Sequence, residues 1–385
     1  MMKKILILTA MLIALVPLKA QDFSPTRLSD SAFASILTCG AGDEFYTSFG
    51  HSAIRVCDST IGLDIVYNYG TFDFDIPHFY WTFALGNLNY CLSRESFGSF
   101  LAEYTWEGRA VWEQRLRLSP QEVNNLFVSL ENNYLPQYRY YLYDFFRDNC
   151  ATRVRDMVST SLCHRTLSAE TTADTNISYR GILYRSTEST LLWWRLGVDI
   201  ALGLHCDHRC SNYEYMFSPI EMMRQFDTLT VSDTRQPLAE PAQQLLEETR
   251  TPLNRSVSPV LTFWVVFIGV LCLTIIGWKK QWRLRWFDTL LFGLTSLVSI
   301  VVMFLWFGTS HYCAEFNLNI LWASPFFIYI MLQHKRSAHW ILHLQLIMLL
   351  AAMIMTIAPL PQQINTAILP ITLSLAIRLI TLLKQ

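Results

Sequence analysis

Five apolar stretches fill the last third of the chain and limit what it can fold into. The stretches are Val260–Trp278, Phe287–Phe307, Leu318–Leu332, Trp340–Ile357 and Ile364–Leu383. Most approach the roughly 20 residues that an α-helix needs to cross a bilayer, and the third needs its flanking residues to do so. Because backbone groups in lipid must be hydrogen-bonded internally, residues 260–385 are predicted to form an all-α bundle of five membrane-spanning helices.

The charges between these stretches predict how the bundle is oriented. Basic residues follow the first and third stretches and close the fifth: Lys279, Lys280, Arg283, Arg285, Lys335, Arg336, Arg378 and Lys384. The loops 308–317 and 358–363 hold no lysine or arginine. Since basic loops stay in the cytoplasm, the part of the chain before the first stretch is predicted to face outward.

The N-terminus points to the same orientation. Lys3 and Lys4 precede the apolar run Ile5–Leu18, and Ala20 supplies a small residue at the cut, which is typical of a signal peptide over residues 1–20. An uncleaved anchor is the alternative. Residues 21–235 are then expected to form a periplasmic domain, and the polar residues 236–259 a linker. The whole is predicted to be a multi-pass protein of a bacterial inner membrane.

Charge and cysteine content narrow the function further. The formal net charge is −1 and only 16% of residues are charged, so nothing indicates a nucleic-acid partner. Seven of the nine cysteines precede the membrane part. In an oxidising compartment an odd number leaves at least one thiol unpaired, and we take Cys150 as that thiol. The pairing of the others does not follow from the sequence.

Cys150 is the first candidate for chemistry. It follows the polar turn Asp148-Asn149 and opens a predicted helix, Ala151–Leu162, which either of those residues can cap. The N–H groups and dipole at a helix N-terminus stabilise a thiolate. A small buried side chain at a helix start is the structural alternative, and Cys150 taken alone favours it.

His51 is the second candidate. It follows Gly50 and opens an alternating run, His51–Val56, that predicts a strand, with a second strand over Asp64–Tyr69. A neutral imidazole can take a proton from a thiol and return it to a leaving group. A third group usually orients such an imidazole. Asn68, Asp64 and Asn149 are candidates, and Asn68 is preferred because it lies on the next strand.

Other segments support more limited predictions. Ser29–Leu37 has the composition of a short helix, Ala110–Leu118 alternates as a strand, and Ser119 begins a helix as its cap. The aromatic-rich segment Gly70–Tyr90 fits core packing, an acyl-chain groove or a membrane-facing surface. His205–Cys210 contains a Cys-x3-Cys pair without a second ligand pair, so neither a metal nor another cofactor is predicted.

The order of histidine, then an Asn-Cys pair opening a helix, resembles the circularly permuted papain-like enzymes, which include the lecithin:retinol acyltransferase and NlpC/P60-like groups. A closer resemblance is to the Lnb family of Bacteroidota membrane proteins. Five segments carry it: Phe49–Val56, Val66–Phe74, Asp148–Cys150, Leu196–Asp199 and Asn317–Trp322. The resemblance implies an α+β periplasmic domain of permuted papain-like fold before the helical bundle.

The same resemblance implies lipoprotein N-acyltransferase activity. An acyl chain would move from a membrane phospholipid to the N-terminal amine of a diacylglyceryl-cysteine lipoprotein. Cys150 would carry it as a thioester and His51 would act as the base, with Asn68 as the third member. As substrate contacts we add Asn149, Asp148, Arg55, His311 and Asn317. An ordinary interfacial loop is the alternative for the segment His311–Asn317.

Two other functions fit the same residues. A membrane-anchored cysteine hydrolase, cutting peptidoglycan peptides or lipid esters, would use the same thiol and imidazole with water as acceptor. A non-enzymatic envelope protein that binds lipoproteins would not need them. Five spans favour the acyltransferase, because one anchor would suffice for a hydrolase of the cell wall.

Overall fold

The computed structural model describes most of the chain. It covers residues 27–44, 47–72, 76–168, 177–186, 192–232, 236–250, 257–333, 339–358 and 360–384. The predicted signal peptide lies outside these ranges, as do Lys335 and Arg336.

A seven-stranded antiparallel sheet organises the N-terminal domain. Its strands are β1 (Phe33–Cys39), β2 (His51–Asp58), β3 (Leu63–Thr71), β4 (Asn89–Ser96), β5 (Val111–Arg115), β6 (Tyr140–Leu142) and β9 (Gln243–Leu246). Their order across the sheet is β6-β4-β3-β2-β1-β5-β9. A separate two-stranded sheet pairs β7 (Leu167–Ser168) with β8 (Thr230–Val231). A mixed α/β domain with an antiparallel sheet is thereby confirmed.

Eight helices accompany these strands in the described part of the domain. They are α1 (Phe79–Ala84), α2 (Phe97–Glu107), α3 (Pro120–Tyr134), α4 (Cys150–Ser161), α5 (Tyr179–Ser186), α6 (Leu192–Ala201), α7 (Asn212–Tyr215) and α8 (Pro219–Phe226). α3 and α4 cover one face of the sheet, where Ile54 and Tyr67 are buried, and α2 covers the other, where Ala53 and Val66 are buried. Successive side chains along these strands therefore pack into apolar cores on opposite faces of the sheet.

The sequence predicted β2, β3, β5 and the start of α3 correctly. Ser119 caps α3 through a reciprocal capping box with Glu122. The helix predicted over Ser29–Leu37 is wrong, because Phe33–Cys39 forms β1 between β2 and β5. A strand buried on both faces reads as a short, continuous apolar run, and periodicity alone does not distinguish such a run from a helix. Part of the predicted linker also joins the sheet, since β9 pairs with β5.

The C-terminal part is helical, and four of its segments are long and apolar enough to cross a membrane. They are α9 (Pro259–Lys279), α10 (Arg285–Phe307), the segment Tyr312–Gln333 and α12 (His339–Ile357). The third is irregular: two 3₁₀ turns, Tyr312–Ala314 and Leu318–Leu321, precede α11 (Phe326–Gln333). The predicted fifth span is the shorter apolar helix α13 (Ile368–Leu383).

The charge pattern predicted that Arg378 belongs to a basic cytoplasmic segment, and this prediction is wrong. Arg378 lies inside the bundle on α13, where Nε donates to Asp288 Oδ1 at 2.7 Å and Nη1 to Thr274 Oγ1 at 3.1 Å. Both charged side chains are buried. An ionisable side chain in apolar surroundings needs such a partner, so this contact ties α13 to α9 and α10. Lys384 remains as the terminal basic residue.

Buried polar contacts join the N-terminal domain to the bundle. Asp199 on α6 accepts from Arg180 Nη1 at 2.7 Å and from Asn365 Nδ2 at 2.6 Å. Nearby, Asn317 Nδ2 donates to the carbonyl oxygen of Ile200 at 2.8 Å. These groups are satisfied only when both parts are in place, which fixes the domain against the outward end of the bundle.

Gly50 sets the start of β2 and therefore the position of His51. Its φ is +81°, and a Cβ there would lie 2.5 Å from the carbonyl oxygen of Cys39, the residue on the strand paired with His51. Gly62, in the turn after β2, also has a positive φ of +66°, yet a Cβ there would meet nothing within 4 Å. Substitutions at the two glycines can therefore distinguish the cost of backbone strain from the cost of steric overlap.

We expect Gly50→Ala to destabilise the protein more than Gly62→Ala. The left-handed conformation costs an alanine about 1–2 kcal/mol at either position. Only at Gly50 does the methyl group also overlap a backbone carbonyl, which adds a further ~1–3 kcal/mol. Thermal unfolding of the full chain in detergent measures the difference. Equal losses of stability in the two variants would show that the close approach at Gly50 is unimportant.

Candidate functional site

Cys150 is the first residue of α4, and Asn149 fixes where that helix begins. Asn149 Oδ1 accepts from the Thr152 N–H at 2.9 Å, and Thr152 Oγ1 accepts from the Asn149 N–H at 2.8 Å. Asn149 Nδ2 donates to the carbonyl oxygens of Phe145 and Phe217. Asn149 is thus the helix cap, as predicted, and its polar atoms are occupied by that structural role.

Asp148 supports the turn that leads to Cys150. Its backbone exchanges two hydrogen bonds with Asp144, and its carboxylate forms an ion pair with Arg153. The guanidinium of Arg153 in turn lies 3.9 Å from the ring centroid of Tyr141. These contacts hold the loop before α4 in one conformation.

The His51 ring is oriented from β3. Its Nε2 lies 3.2 Å from Asn68 Oδ1, and Asn68 Nδ2 donates to Glu95 Oε1 on β4 at 2.9 Å. Because the amide nitrogen faces the carboxylate, the amide oxygen faces the ring and accepts, so His51 Nε2 carries the proton. The basic nitrogen of the neutral imidazole is then Nδ1, which is the atom able to take a proton from a thiol.

Of the three candidates for orienting His51, only Asn68 makes this contact. Asp64 receives the Arg55 guanidinium in a two-pronged ion pair, with Nε to Oδ1 at 2.7 Å. Arg55 also donates to Glu113 and lies 3.5 Å from the ring centroid of Phe97. Arg55 and Asp64 therefore form a structural cluster on the α2 face of the sheet.

The thiol of Cys150 lies against the beginning of β2. The Cys150 sulfur lies close to the backbone N–H groups of Ser52, Cys150 and Ala151, each of which acts to lower the pKa of the thiol. The Ser52 N–H belongs to the peptide bond that joins it to His51. On β3, a Cβ at Gly70 would lie 3.6 Å from Cys150 Cβ. Cys150, His51 and Asn68 thus lie at the same end of β2 and β3.

Burial controls the thiol's acidity. Burial raises the pKa of Cys150 above its ordinary value, although the three N–H groups and the Arg109 guanidinium act in the opposite direction. The N–H groups at the helix N-terminus therefore favour the thiolate, as expected, but they do not bring the pKa of the resting thiol below its ordinary value. Desolvation of the charged form outweighs the helix-end N–H groups.

The imidazole is also neutral at rest. Burial lowers the pKa of His51 to about 4, the hydrogen bond that Nε2 donates to Asn68 opposes that change, and Arg109 adds to it. At neutral pH the site therefore holds a thiol and a neutral imidazole. Such a pair becomes charged only when the proton moves during attack.

Three residues of the site were not predicted from the sequence. Glu95 holds Asn68, and buried Arg109 places a cation near both Cys150 and His51 while its Nε donates to the Gly40 carbonyl oxygen at 2.9 Å. Tyr143 lies beside Cys150 across Gly70. Only the strand register and the position of α2 bring these residues close, and neither can be obtained from local spacing.

His311 and Asn317 lie where the domain meets the bundle. The His311 ring packs against Gly86, where a Cβ would lie 3.2 Å from its Nδ1. Asn317 is fully buried and, besides Ile200, donates to the carbonyl oxygen of Ala201 at 3.1 Å. Both side chains contribute to the junction between the two parts.

All nine cysteines, Cys150 included, are free thiols. In the segment considered for zinc, Cys206 Sγ donates to the carbonyl oxygen of Cys313 at 3.4 Å, His205 stacks on Tyr312, and His208 pairs with Glu214. These side chains are directed at different partners.

Comparisons with known proteins identify both parts of the chain. A family model described as the Lnb N-terminal periplasmic domain matches residues 22–182, which include Cys150, His51 and Asn68. A second, described as the Lnb transmembrane domain, matches residues 251–385. Neither a curated protein nor a solved structure matches the chain. The chain therefore belongs to the Lnb family, as a multi-pass membrane protein with a periplasmic N-terminal domain.

Proposed function

We propose that this protein is an apolipoprotein N-acyltransferase of the bacterial inner membrane. It takes an acyl chain from a phospholipid, holds it as a thioester on Cys150, and passes it to the N-terminal amine of a diacylglyceryl-cysteine lipoprotein. The observation that supports this most is that Cys150 lies beside Ser52, next to the His51–Asn68 pair, in a domain fixed to membrane helices.

The proposal includes a circularly permuted papain-like fold and a bundle of five spans. In such a fold the strand histidine precedes the cysteine in the chain, as His51 precedes Cys150. The Asn68 contact with Nε2 leaves Nδ1 as the base, which suits a cysteine enzyme. α13 would be the fifth span, reaching across about 24 Å at 1.5 Å per residue over its 16 residues.

In the first step, His51 Nδ1 takes the proton of the Cys150 thiol as the sulfur attacks the ester carbonyl of the phospholipid. In this proposal the oxyanion is stabilised by the N–H groups of Cys150 and Ala151, which lie at the start of α4 beside the sulfur. The ester C–O bond then breaks, and the His51 imidazolium gives its proton to the departing lysophospholipid oxygen. The products are a Cys150 thioester and a lysophospholipid.

In the second step, the neutral amine of the lipoprotein attacks the thioester carbonyl. His51 takes a proton from the attacking nitrogen, the C–S bond breaks, and the imidazolium returns that proton to the Cys150 sulfur. An amide forms and the enzyme returns to its starting state. Because an amide is more stable than a thioester, this step runs forward.

Expression in a strain that lacks its own N-acyltransferase tests the transfer. Intact-mass analysis of a reporter lipoprotein should show the gain of one acyl chain with the natural chain and none with Cys150→Ala, which removes the nucleophile. The matched control is Cys163→Ala, because the Cys163 thiol is exposed and accepts a hydrogen bond from the side chain of Asn125. Cleavage of a peptide bond without acyl gain would instead identify a hydrolase.

The low pKa of His51 predicts an unusual pH dependence for the first step. His51 acts as a base only when neutral, and with a pKa of about 4 it remains neutral well below pH 6. Lysophospholipid release should therefore stay nearly constant from pH 7 to 5.5 and fall as pH approaches 4. An ordinary histidine would lose roughly tenfold by pH 5.5.

The measurement uses the full chain in mixed micelles before any acceptor is added, so the titration of the acceptor amine does not contribute. A midpoint near 6.5 would show that His51 is solvated in the working enzyme and that its burial in this structure does not govern catalysis.

A further inference from the structure

The segment around α1 is aromatic, uncharged and exposed. From Ile76 to Ser93 it contains no lysine, arginine, aspartate or glutamate. The side chain of Tyr80 is 81% exposed, that of Trp81 59% and that of Phe83 40%. Three large aromatic side chains on a six-residue helix are not accounted for by packing within the domain.

This segment is attached to the periplasmic end of a membrane helix. The Trp81 ring stacks on Phe304 of α10 with 5.8 Å between centroids. The N–H of Ser310, just beyond α10, donates to the Leu85 carbonyl oxygen at 2.8 Å. The position of α1 relative to the bilayer is therefore set by α10.

The length of α10 gives the depth of this contact. Its 23 residues extend about 34 Å, against a hydrocarbon thickness of about 30 Å. Phe304 lies three residues before the end of the helix at Phe307, or about 4.5 Å below it. Trp81 consequently lies close to the boundary between hydrocarbon and headgroups, where tryptophan and tyrosine are favoured.

We propose that α1 is embedded in the outer leaflet of the membrane, with Tyr80, Trp81 and Phe83 in contact with phospholipid. The occupant of this surface is the bilayer itself, because the surface continues the lipid-facing side of α10 and carries no charge. The inserted side chains hold the catalytic domain at a fixed depth in the interface.

The buried side chain of α1, Phe79, leads toward the candidate site. Phe79 stacks on Phe72, Phe72 packs edge-on against Tyr90, and Tyr90 stacks on Tyr143 with 4.3 Å between centroids. Tyr143 and Cys150 lie on either side of the space above Gly70. This aromatic row joins the bilayer surface to the buried thiol. Resting on the proposed function, it is the entry route of the donor acyl chain.

Photocrosslinking tests the location of α1 without reference to activity. A benzophenone amino acid replaces Tyr80 in the full chain, reconstituted in vesicles that contain radiolabelled phosphatidylethanolamine. Ile61 is the matched negative control, since it is exposed and apolar but follows β2 at the end of the sheet remote from His51. Leu297, exposed in the middle of α10, is the positive control.

We expect a phospholipid adduct at positions 80 and 297 and little at 61. The proposed location would be overturned if position 297 is labelled and position 80 is labelled no more than position 61.

A second measurement tests the route. The double variant Tyr80→Ser, Trp81→Ser should lower lysophospholipid release from vesicles about tenfold. The rate at which a soluble reagent alkylates Cys150, measured from the mass of the Cys150 peptide, should be the same as in the natural chain. Unchanged release in that variant would overturn the route. If the natural chain releases no lysophospholipid, the proposed function fails and the route with it, but the crosslinking result still decides where α1 lies.

Discussion

The site depends on one contact, in which the Cys150 sulfur at the start of α4 lies close to the peptide bond between His51 and Ser52. Asn149 fixes the first turn of that helix, and Gly50 lets the chain enter β2 close against Cys39. The helix start needs a capping side chain, which Asn149 supplies, and the strand start needs a residue without a Cβ, which Gly50 supplies. Together they bring residues 99 positions apart in the sequence to the same end of the sheet.

Burial gives this pair its chemical character. The same desolvation raises the pKa of Cys150 and lowers that of His51 to about 4, so both groups are neutral at rest. Burial of the neutral thiol and imidazole would also keep water away from the proposed thioester until an amine arrives. Arg109 and the N–H groups at the helix start favour negative charge there, and they act most strongly once the proton has left the sulfur.

Local patterns in the sequence predicted much of this arrangement. The alternating strands, the cap before Cys150 and the apolar spans depend on neighbouring residues alone. Glu95 and Arg109 could not be found in this way, because their proximity to the site follows from strand register and from helix placement across the sheet. The helix predicted over Ser29–Leu37 was wrong because β1, a central strand, lacks the alternation that identifies a strand with one exposed face. The role of Arg378 depended on a partner 90 positions away.

The domain is attached to the bundle through Asp199, Asn317 and Asn365, so the thiol has a fixed relation to the membrane surface. The most direct test of the account is the mass of the Cys150 peptide after incubation of the full chain with phospholipid alone. The account predicts an added acyl chain that hydroxylamine removes and that is absent from His51→Gln. An unmodified Cys150 in a chain that still acylates lipoproteins would contradict it.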